Sequence, residues 1–477
     1  MAGPKHSCGV VGVAADCDVV YYMHRALNVI QHRGQESAGI SVFTDGTIRT
    51  VKNDGLVSEA LNEAALAGVT GNSGIGHVRY STVGSKGVLN AQPFTVDYTG
   101  GTLAIAHNGD LTNYKELKAE YLEKGWSFIS DSDSEIIIRL IAKFLSEGED
   151  IITAIRSTMA KIDGAYSLCV MDNDVIYAIR DPYGFRPLCI GKVFGGYMVV
   201  SESAALDSLG GEFVRDVEPG EIVRVTKDGI ESFPLLSPVP KAHCMFEWIY
   251  FARPDSVMDG REVYDVRKQV GIILAKEAPA DVDLVMPVPD SGRAHALGYS
   301  IGSGIQYEEG FMKNRFVGRT FILPDQKMRE NAVSMKMNAI KSTVNGKRIV
   351  IVDDSIVRGT TLKKLINVLR DAGAKEVHVR IGSPPIIAPC YYGVDMKSRD
   401  QFIATKYSVE EIRQIIGADS LAYISLEGMV KALGFPAEDL CLACTNGLYP
   451  TPIEGEKLRP QRITWPVPSL RREREKV

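Results

Sequence analysis

The stretch Arg348-Ile349-Val350-Ile351-Val352-Asp353-Asp354-Ser355-Ile356-Val357-Arg358-Gly359-Thr360-Thr361 decides how this chain is read. Its first five residues form an apolar, β-branched run of the kind that becomes a buried strand. Leu362, Leu365, Ile366 and Leu369 then recur at three- and four-residue steps, which predicts a helix over 361–371. Between strand and helix stand two carboxylates, a serine, an arginine, a glycine and two threonines. A loop at the carboxyl end of a parallel strand, feeding a helix, offers free backbone N–H groups to an anion. Gly359 and the hydroxyls of Ser355, Thr360 and Thr361 let the backbone wrap a phosphate closely, with Arg358 beside them. Asp353 and Asp354 can accept hydrogen bonds from a vicinal diol. The set fits a sugar that bears a phosphate. Aspartates are also common at ordinary turns, but the order of groups here argues against that plainer reading.

Outward from this loop, Leu284–Val288 and Val377–Ile381 are further short apolar strands separated by helical stretches. Alternating strand and helix predicts a parallel, doubly wound sheet. Pro287-Val288-Pro289-Asp290-Ser291-Gly292 follows the first of these strands and can receive a second phosphate group. The segment 313–336 holds Lys313, Arg315, Arg319, Lys327, Arg329 and Lys336 with Gly318 and Pro324. It reads equally as a solvated basic loop or as a lid over a phosphorylated substrate.

The part from Cys8 to about Leu235 has a different texture. Short β-branched runs alternate with glycine turns, as in 9–13, 39–43, 102–106 and 166–171. Tyr21–Ile30 and Ser134–Leu145 carry helical spacing, the latter through Ile136, Leu140, Ile141 and Phe144. Many strands with few helices predict sheets with helices on their outer faces. Pro234, Pro238 and Pro240 mark a linker to the second part.

The order of groups in this first part is Cys8-Gly9-Val10-Val11-Gly12, Gln31-His32-Arg33-Gly34-Gln35, Gly76-His77-Val78-Arg79-Tyr80-Ser81-Thr82, His107-Asn108-Gly109 and Ser132-Asp133-Ser134-Glu135. Singly, each is bland: a cysteine at a strand start is usually core, and Asn-Gly is usually a turn. Together they resemble the class II glutamine amidotransferases, whose catalytic cysteine is the N-terminal residue of the mature chain. An α-amino group with a pKa of about 7.7–8.0 can take the thiol proton, whereas a peptide nitrogen cannot. Cys8 as nucleophile therefore implies removal of Met1–Ser7. The resemblance further implies Arg79 for the glutamine α-carboxylate, Asp133 for its α-ammonium, and Asn108 and Gly109 for the oxyanion hole. Asp131 competes with Asp133, which fits the family register better. His77 and His107 read as structural.

The phosphate loop likewise resembles the signature of the type I phosphoribosyltransferases. That implies phosphoribosyl pyrophosphate (PRPP) bound by Ser291, Asp353, Asp354, Ser355, Arg358, Gly359, Thr360, Thr361, Lys313 and Arg319. Mg²⁺ would sit at Ser291, Asp353 and Asp354.

Eight cysteines in 477 residues do not form a secreted disulfide framework. Cys441-Leu442-Ala443-Cys444 with Cys244 and Cys390 supplies four thiols, and spacing alone allows zinc or an iron–sulfur cluster. Cys244 precedes Glu247-Trp248-Ile249-Tyr250-Phe251-Ala252-Arg253-Pro254-Asp255-Ser256, and Cys390 follows Ser383-Pro384-Pro385. With these, the chain from Cys8 to about Pro450 resembles the iron–sulfur type of glutamine PRPP amidotransferases. The resemblance implies a [4Fe–4S] cluster on Cys244, Cys390, Cys441 and Cys444, a homotetramer, an internal ammonia path and purine nucleotides as feedback inhibitors. Cys17, Cys169 and Cys189 read as buried core thiols.

The resulting expectation combines α+β and α/β bodies: a leader 1–7, an N-terminal-nucleophile αββα sandwich over 8–235, a doubly wound phosphoribosyltransferase domain over 236–450, and an arm over 451–477. A net charge of -5 argues against a general nucleic-acid or membrane-surface binder. No run approaches the about 18 apolar residues of a spanning helix, and the first residues are too polar for a signal peptide, so the cytoplasm is expected. Asparagine synthetase and the glucosamine-6-phosphate-forming enzyme share the first half but have no use for the 353–361 loop. A non-catalytic PRPP sensor has no use for the glutaminase residues.

Overall fold

The computed structural model describes residues 8–80, 87–235, 237, 239–313 and 337–460. Met1–Ser7, Ser81, Thr82, Pro238, the loop residues from Arg315 to Lys336 (Arg319 included) and the last seventeen residues expected in the arm lie outside the described residues.

Strand β1 (Gly9–Ala14) is buried along its whole length. Its alternate residues serve two cores: Val11 and Val13 face a helical layer, while Val10 and Ala14 face a second sheet. That double burial is why the sequence shows a continuous apolar run. Among the described residues, β1 lies inside a seven-stranded sheet, next to β4 (Ser73–Arg79) and β10 (Gly196–Val200), with β2 (Ser37–Thr44) and β3 (Thr47–Asp54) beyond β4. β9 (Cys189–Val193) and β11 (Glu212–Asp216) complete its other side. Six strands make the facing sheet: β5 (Phe94–Tyr98), β6 (Gly101–Leu111), β7 (Gly164–Asp172), β8 (Val175–Arg180), β12 (Ile222–Val225) and β13 (Ile230–Phe233). The helix Val20–Val29 covers the first sheet through Met23, Ala26 and Leu27. The helices Asp133–Ser146 and Ile151–Met159 cover the second. The expected apolar face of the former, Ile136, Leu140, Ile141 and Phe144, packs on Leu103, Ile105, Leu168 and Val170. The order is helix, sheet, sheet, helix.

The second body has a four-stranded parallel sheet in the order Leu284–Pro287, Arg348–Asp353, Glu376–Ile381, Ser420–Tyr423. Val350 and Val352 meet the helices Val263–Glu277 and Gly292–Ser303 through Val270, Leu274, Ala296 and Tyr299. Ile349 and Ile351 meet Thr360–Asp371 and Val409–Ile416 through Leu362, Leu365, Ile366 and Ile412. Helices on both faces of a parallel sheet make it doubly wound.

One expectation differs from what is seen. Cys17 is only partly buried, because it sits between Asp16 and Asp18 in the turn that leaves β1; Cys169 and Cys189 are core thiols. Beyond Pro450, Lys457–Leu458 pairs in parallel with Leu448–Tyr449, and the Arg459 N–H donates to Tyr449 O at 2.7 Å. Backbone pairing of this kind leaves no mark on a polar sequence.

Candidate active sites

In the first body Cys8 opens β1, 7% exposed, with its thiol 3.4 Å from Tyr80 O. Burial pushes the thiol up to about 11, so it needs a base to ionise near neutrality. Arg33 Nε donates to Cys8 O at 3.0 Å and holds the strand start. Arg79 ends β4, beside β1, where Gly9 pairs with Val78. β6 brings up Asn108, fully buried, and neither its carboxamide oxygen nor its nitrogen has a partner within the described protein. Gly109 follows with φ +154°, and a Cβ there would lie 1.9 Å from Ala165 O. Only glycine fits that approach of β6 to β7.

Asp133 begins the helix Asp133–Ser146, is buried, and accepts from the Leu111 N–H at 2.9 Å. Burial alone would lift its carboxyl, but His107, the Leu111 N–H and Lys397 outweigh it and hold it below its ordinary range. His107 lies 3.6 Å from Asp133 Oδ1. Burial would lower the His107 ring, yet Asp133 outweighs it and the net shift is upward. Asp131 instead is exposed and lies 3.6 Å from Lys118. His77 is buried and bonded to His107 O at 3.0 Å, with burial driving its ring down to about 3.

In the second body the 353–361 loop stands at the carboxyl end of its strand. Asp354 accepts from Ser291 Oγ (2.6 Å) and Ser355 Oγ (2.5 Å), so the two loops meet at one carboxylate. The Asp354 N–H donates to Asp353 Oδ1 at 2.9 Å. Burial, then the neighbouring Asp354 charge, pushes Asp353 well above the carboxylate range. Gly359, at φ +73°, precedes the helix Thr360–Asp371, whose N-terminus has no side-chain cap. The positive end of that helix therefore stands at the loop, where an anion is favoured. Arg358 bonds Gln401 Oε1 at 2.7 Å on the surface. Lys313 pairs with Asp290, one residue before Ser291.

Cys244, Cys390, Cys441 and Cys444 line one cavity with Phe185, Phe246, Tyr392 and Met396. Parallel pairing places Cys244 opposite Cys441. Their distance in sequence hid this, and only the fold gathers them.

A buried charge network, not foreseen from the sequence, ties the two bodies together. Arg33 bonds Glu202 (2.6 Å) and Glu247 (2.7 Å), and Arg186 bonds the same Glu247 at 2.9 Å. Glu247 starts a π-helical turn, Glu247–Phe251, which Arg267 spans by donating to Trp248 O (2.6 Å) and Ala252 O (2.8 Å). Glu202 also accepts from the Arg253 N–H at 2.8 Å and Ser256 Oγ at 2.9 Å. One buried chain of bonds therefore runs from the carbonyl of Cys8 to the helix that backs Asp354. The only sequence signal was that Arg33 and Glu247 lay in the segments carrying the family resemblance.

Comparison with known proteins agrees with both halves. Residues 77–208 match the family described as glutamine amidotransferase domain, and residues 314–381 the family described as phosphoribosyl transferase domain. The amidophosphoribosyltransferase of Methanocaldococcus jannaschii is 50% identical over 469 residues, covering 94% of this chain and 99% of that protein. This chain belongs to the amidophosphoribosyltransferase family. The solved glutamine PRPP amidotransferase of B. subtilis, complexed with ADP and GMP, superposes with a TM-score of 0.88 at 42% identity. It covers 94% of this chain and 99% of its own. A second solved structure, described as the allosteric regulatory enzyme of purine biosynthesis, gives a TM-score of 0.89 at 42% identity, covering 94% and 97%. The amidophosphoribosyltransferase fold therefore runs through both bodies of this chain. Among the described residues no helix is long and apolar enough to cross a membrane.

Proposed function

We propose that this chain carries out its family's reaction: glutamine, PRPP and water give 5-phosphoribosylamine, pyrophosphate and glutamate, the first step of purine biosynthesis. The observation that carries the proposal is the pair of half-sites in one molecule. One body holds a buried thiol and a buried carboxamide without a partner among the described residues, the other an acid–hydroxyl loop that ends at a helix N-terminus, and the Arg33–Glu247 pair joins the two bodies.

At the first half-site the Cys8 thiolate attacks the glutamine carboxamide carbon. The thiol proton passes to the α-amino group that Cys8 gains when residues 1–7 are removed. The Asn108 carboxamide N–H and the Gly109 backbone N–H hold the oxyanion. Arg79 and Asp133 orient the substrate's α-carboxylate and α-ammonium. Ammonia leaves, and water releases glutamate from the thioester.

At the second, the N–H groups of Gly359, Thr360 and Thr361, with Ser355 and Arg358, hold the 5-phosphate. Asp353 and Asp354 take the ribose hydroxyls, and Ser291, with Lys313 beside it, takes the pyrophosphate. Ammonia displaces pyrophosphate at the anomeric carbon. Two abutting buried carboxylates with a hydroxyl at Ser291 are hard oxygen donors that suit Mg²⁺. When bound, that ion neutralises charge on the leaving pyrophosphate.

The four cysteines fit a [4Fe–4S] cluster of structural role. They line one apolar cavity, and Arg186 stands close enough to favour the thiolates of Cys244 and Cys390 against the burial that raises them. The reading divides the chain into a removed leader 1–7, a glutaminase domain 8–235, a phosphoribosyltransferase domain 236–450 and an arm 451–477. It also takes the enzyme to be a cytoplasmic homotetramer inhibited by purine nucleotides, in line with the ADP and GMP complex of the B. subtilis relative.

The test is one assay with amide-labelled glutamine, PRPP and Mg²⁺, following label into the ribosylamine while intact mass reports residues 1–7. A Cys8→Ala variant should use ammonium but not glutamine. Loss of both reactions in a folded variant, or activity in a chain that keeps residues 1–7, defeats the assignment.

A further inference from the structure

The loop 389–397 carries Cys390 out of the second body and lays it on the first. It closes on itself through Cys390 N–H to Met396 O (2.8 Å) and Met396 N–H to Val394 O (2.7 Å). Arg186, from the first body, grips its crest, donating to Tyr392 O from Nε at 2.9 Å and from Nη2 at 2.5 Å. Gly393, at φ +96°, lies flat against the backbone of Gly109: a Cβ on it would come 3.1 Å from Gly109 Cα and 3.2 Å from Gly109 C. At the loop's end Lys397 Nζ stands 3.2 Å from Asp110 Oδ2, the lysine side chain 39% accessible and the aspartate 5%.

Asp110 directly follows the oxyanion residues Asn108 and Gly109 on β6. We propose that Lys397 is a positioning residue of the glutamine site, supplied by the second body, which neutralises Asp110 and so holds the turn of β6 that presents Asn108 and Gly109. The assignment rests on the glutaminase reading of those residues and adds to it a group from the other half of the chain.

The physical case has two parts. First, Asp110 is close enough to Cys8 to disfavour its thiolate, and Lys397 close enough to Asp133 to favour its carboxylate, so both charges reach the substrate region. Second, an amide substrate is neutral at its reacting centre, while the tetrahedral state carries a full oxyanion. Removing the Lys397 charge raises the net negative charge one residue from the oxyanion donors, which opposes the transition state more than it opposes substrate binding. The effect belongs in kcat. The same loop carries Cys390, so the four-thiol cavity and the oxyanion strand share a wall.

The experiment uses the holoenzyme processed to Cys8, with Lys397→Met, Asp110→Asn and the double variant, comparing glutamine-dependent and ammonium-dependent synthesis. Lys397→Met should lower the glutamine-dependent kcat by about tenfold, with the glutamine KM within roughly twofold. Ammonium-dependent synthesis reports that the second body is intact. Removing the carboxylate as well should restore kcat to within about threefold of the parent, because no charge then needs neutralising. A structural role for Lys397 unrelated to Asp110 predicts no such rescue. An unchanged kcat in Lys397→Met, a double variant no better than the single, or an equal loss in the ammonium reaction overturns the proposal. Glutamine hydrolysis persisting in Cys8→Ala instead overturns the underlying glutaminase reading, whatever Lys397 does.

Discussion

Asn108→Leu separates function from folding at one side chain. Asn108 is fully buried, and both polar atoms of its carboxamide lack a partner in the described protein. A buried, unsatisfied polar group costs about 1–3 kcal/mol, and an apolar side chain of similar volume carries no such penalty. Leucine is slightly misshapen for the site, so the expected net gain is nearer 1 kcal/mol. For a domain of this size that is a rise of about 2–4 °C in the melting temperature of the free enzyme. The same change removes one of two oxyanion donors, worth about 2.7–4 kcal/mol, or 10²–10³ in kcat for glutamine hydrolysis. Ammonium-dependent synthesis, run by the other body, should stay near the parent rate. Calorimetry and the two activity assays on one preparation decide it. A melting temperature that falls, or glutamine hydrolysis within about tenfold of the parent, refutes the reasoning, because the carboxamide would then be a structural group rather than a donor kept for substrate.

Asp354→Asn should leave glutamine hydrolysis measurable while lowering ribosylamine formation by at least about 10²-fold from either nitrogen source, since it removes a charge facing PRPP and its cation; equal losses in both half-reactions would count against it. Cys390→Ser should yield protein with little iron and acid-labile sulfide per chain; full loading in that variant would remove Cys390 from the ligand set. Burial would lift Glu202, but His32 and Arg33 outweigh it and hold its carboxyl below the ordinary value of 4.5. A depressed acid contributes stability above its unfolded pKa and loses it as pH falls through the folded value, so that contribution fades from about pH 4.5 downward. Glu202→Gln should therefore cost about 3–5 kcal/mol at pH 7 and show a shallower fall in melting temperature between pH 5 and 3; an unchanged slope would show that Glu202 is not the titrating group.

Much of the fold was legible because its elements carry strong periodic signals. The run Arg348–Val352 and the heptad-like spacing after Thr361 can only be a buried strand and an amphipathic helix, and both appear as expected. The same holds for Ile136, Leu140, Ile141 and Phe144, whose spacing is a face. What stayed hidden were features that leave no periodic trace. Cys17 has the composition of a core residue but the position of a turn. Lys457–Leu458 joins the body by backbone pairing alone. Arg33, Arg186, Glu202 and Glu247 look like ordinary surface charges in a chain with 54 basic and 59 acidic residues, and nothing local marks these as the buried ones, or Lys397 as the partner of a buried aspartate.

Taken alone, the sequence determined two chemistries: a thiol in a glutaminase order of motifs, and a strand–acid–loop–helix built for a ribose phosphate. Both are local, because the groups that act together lie within a few residues or on one strand and its turn. The tertiary structure alone decided how the halves belong together. Long-range ion pairs set the bodies against each other, four distant cysteines converge on one cavity, and a loop from the second body seats its lysine beside Asp110 on β6 of the first. Charges separated by hundreds of residues acquire a partner only when the chain has closed around them. Burial then makes those pairs strong, because the low-dielectric interior does not screen them.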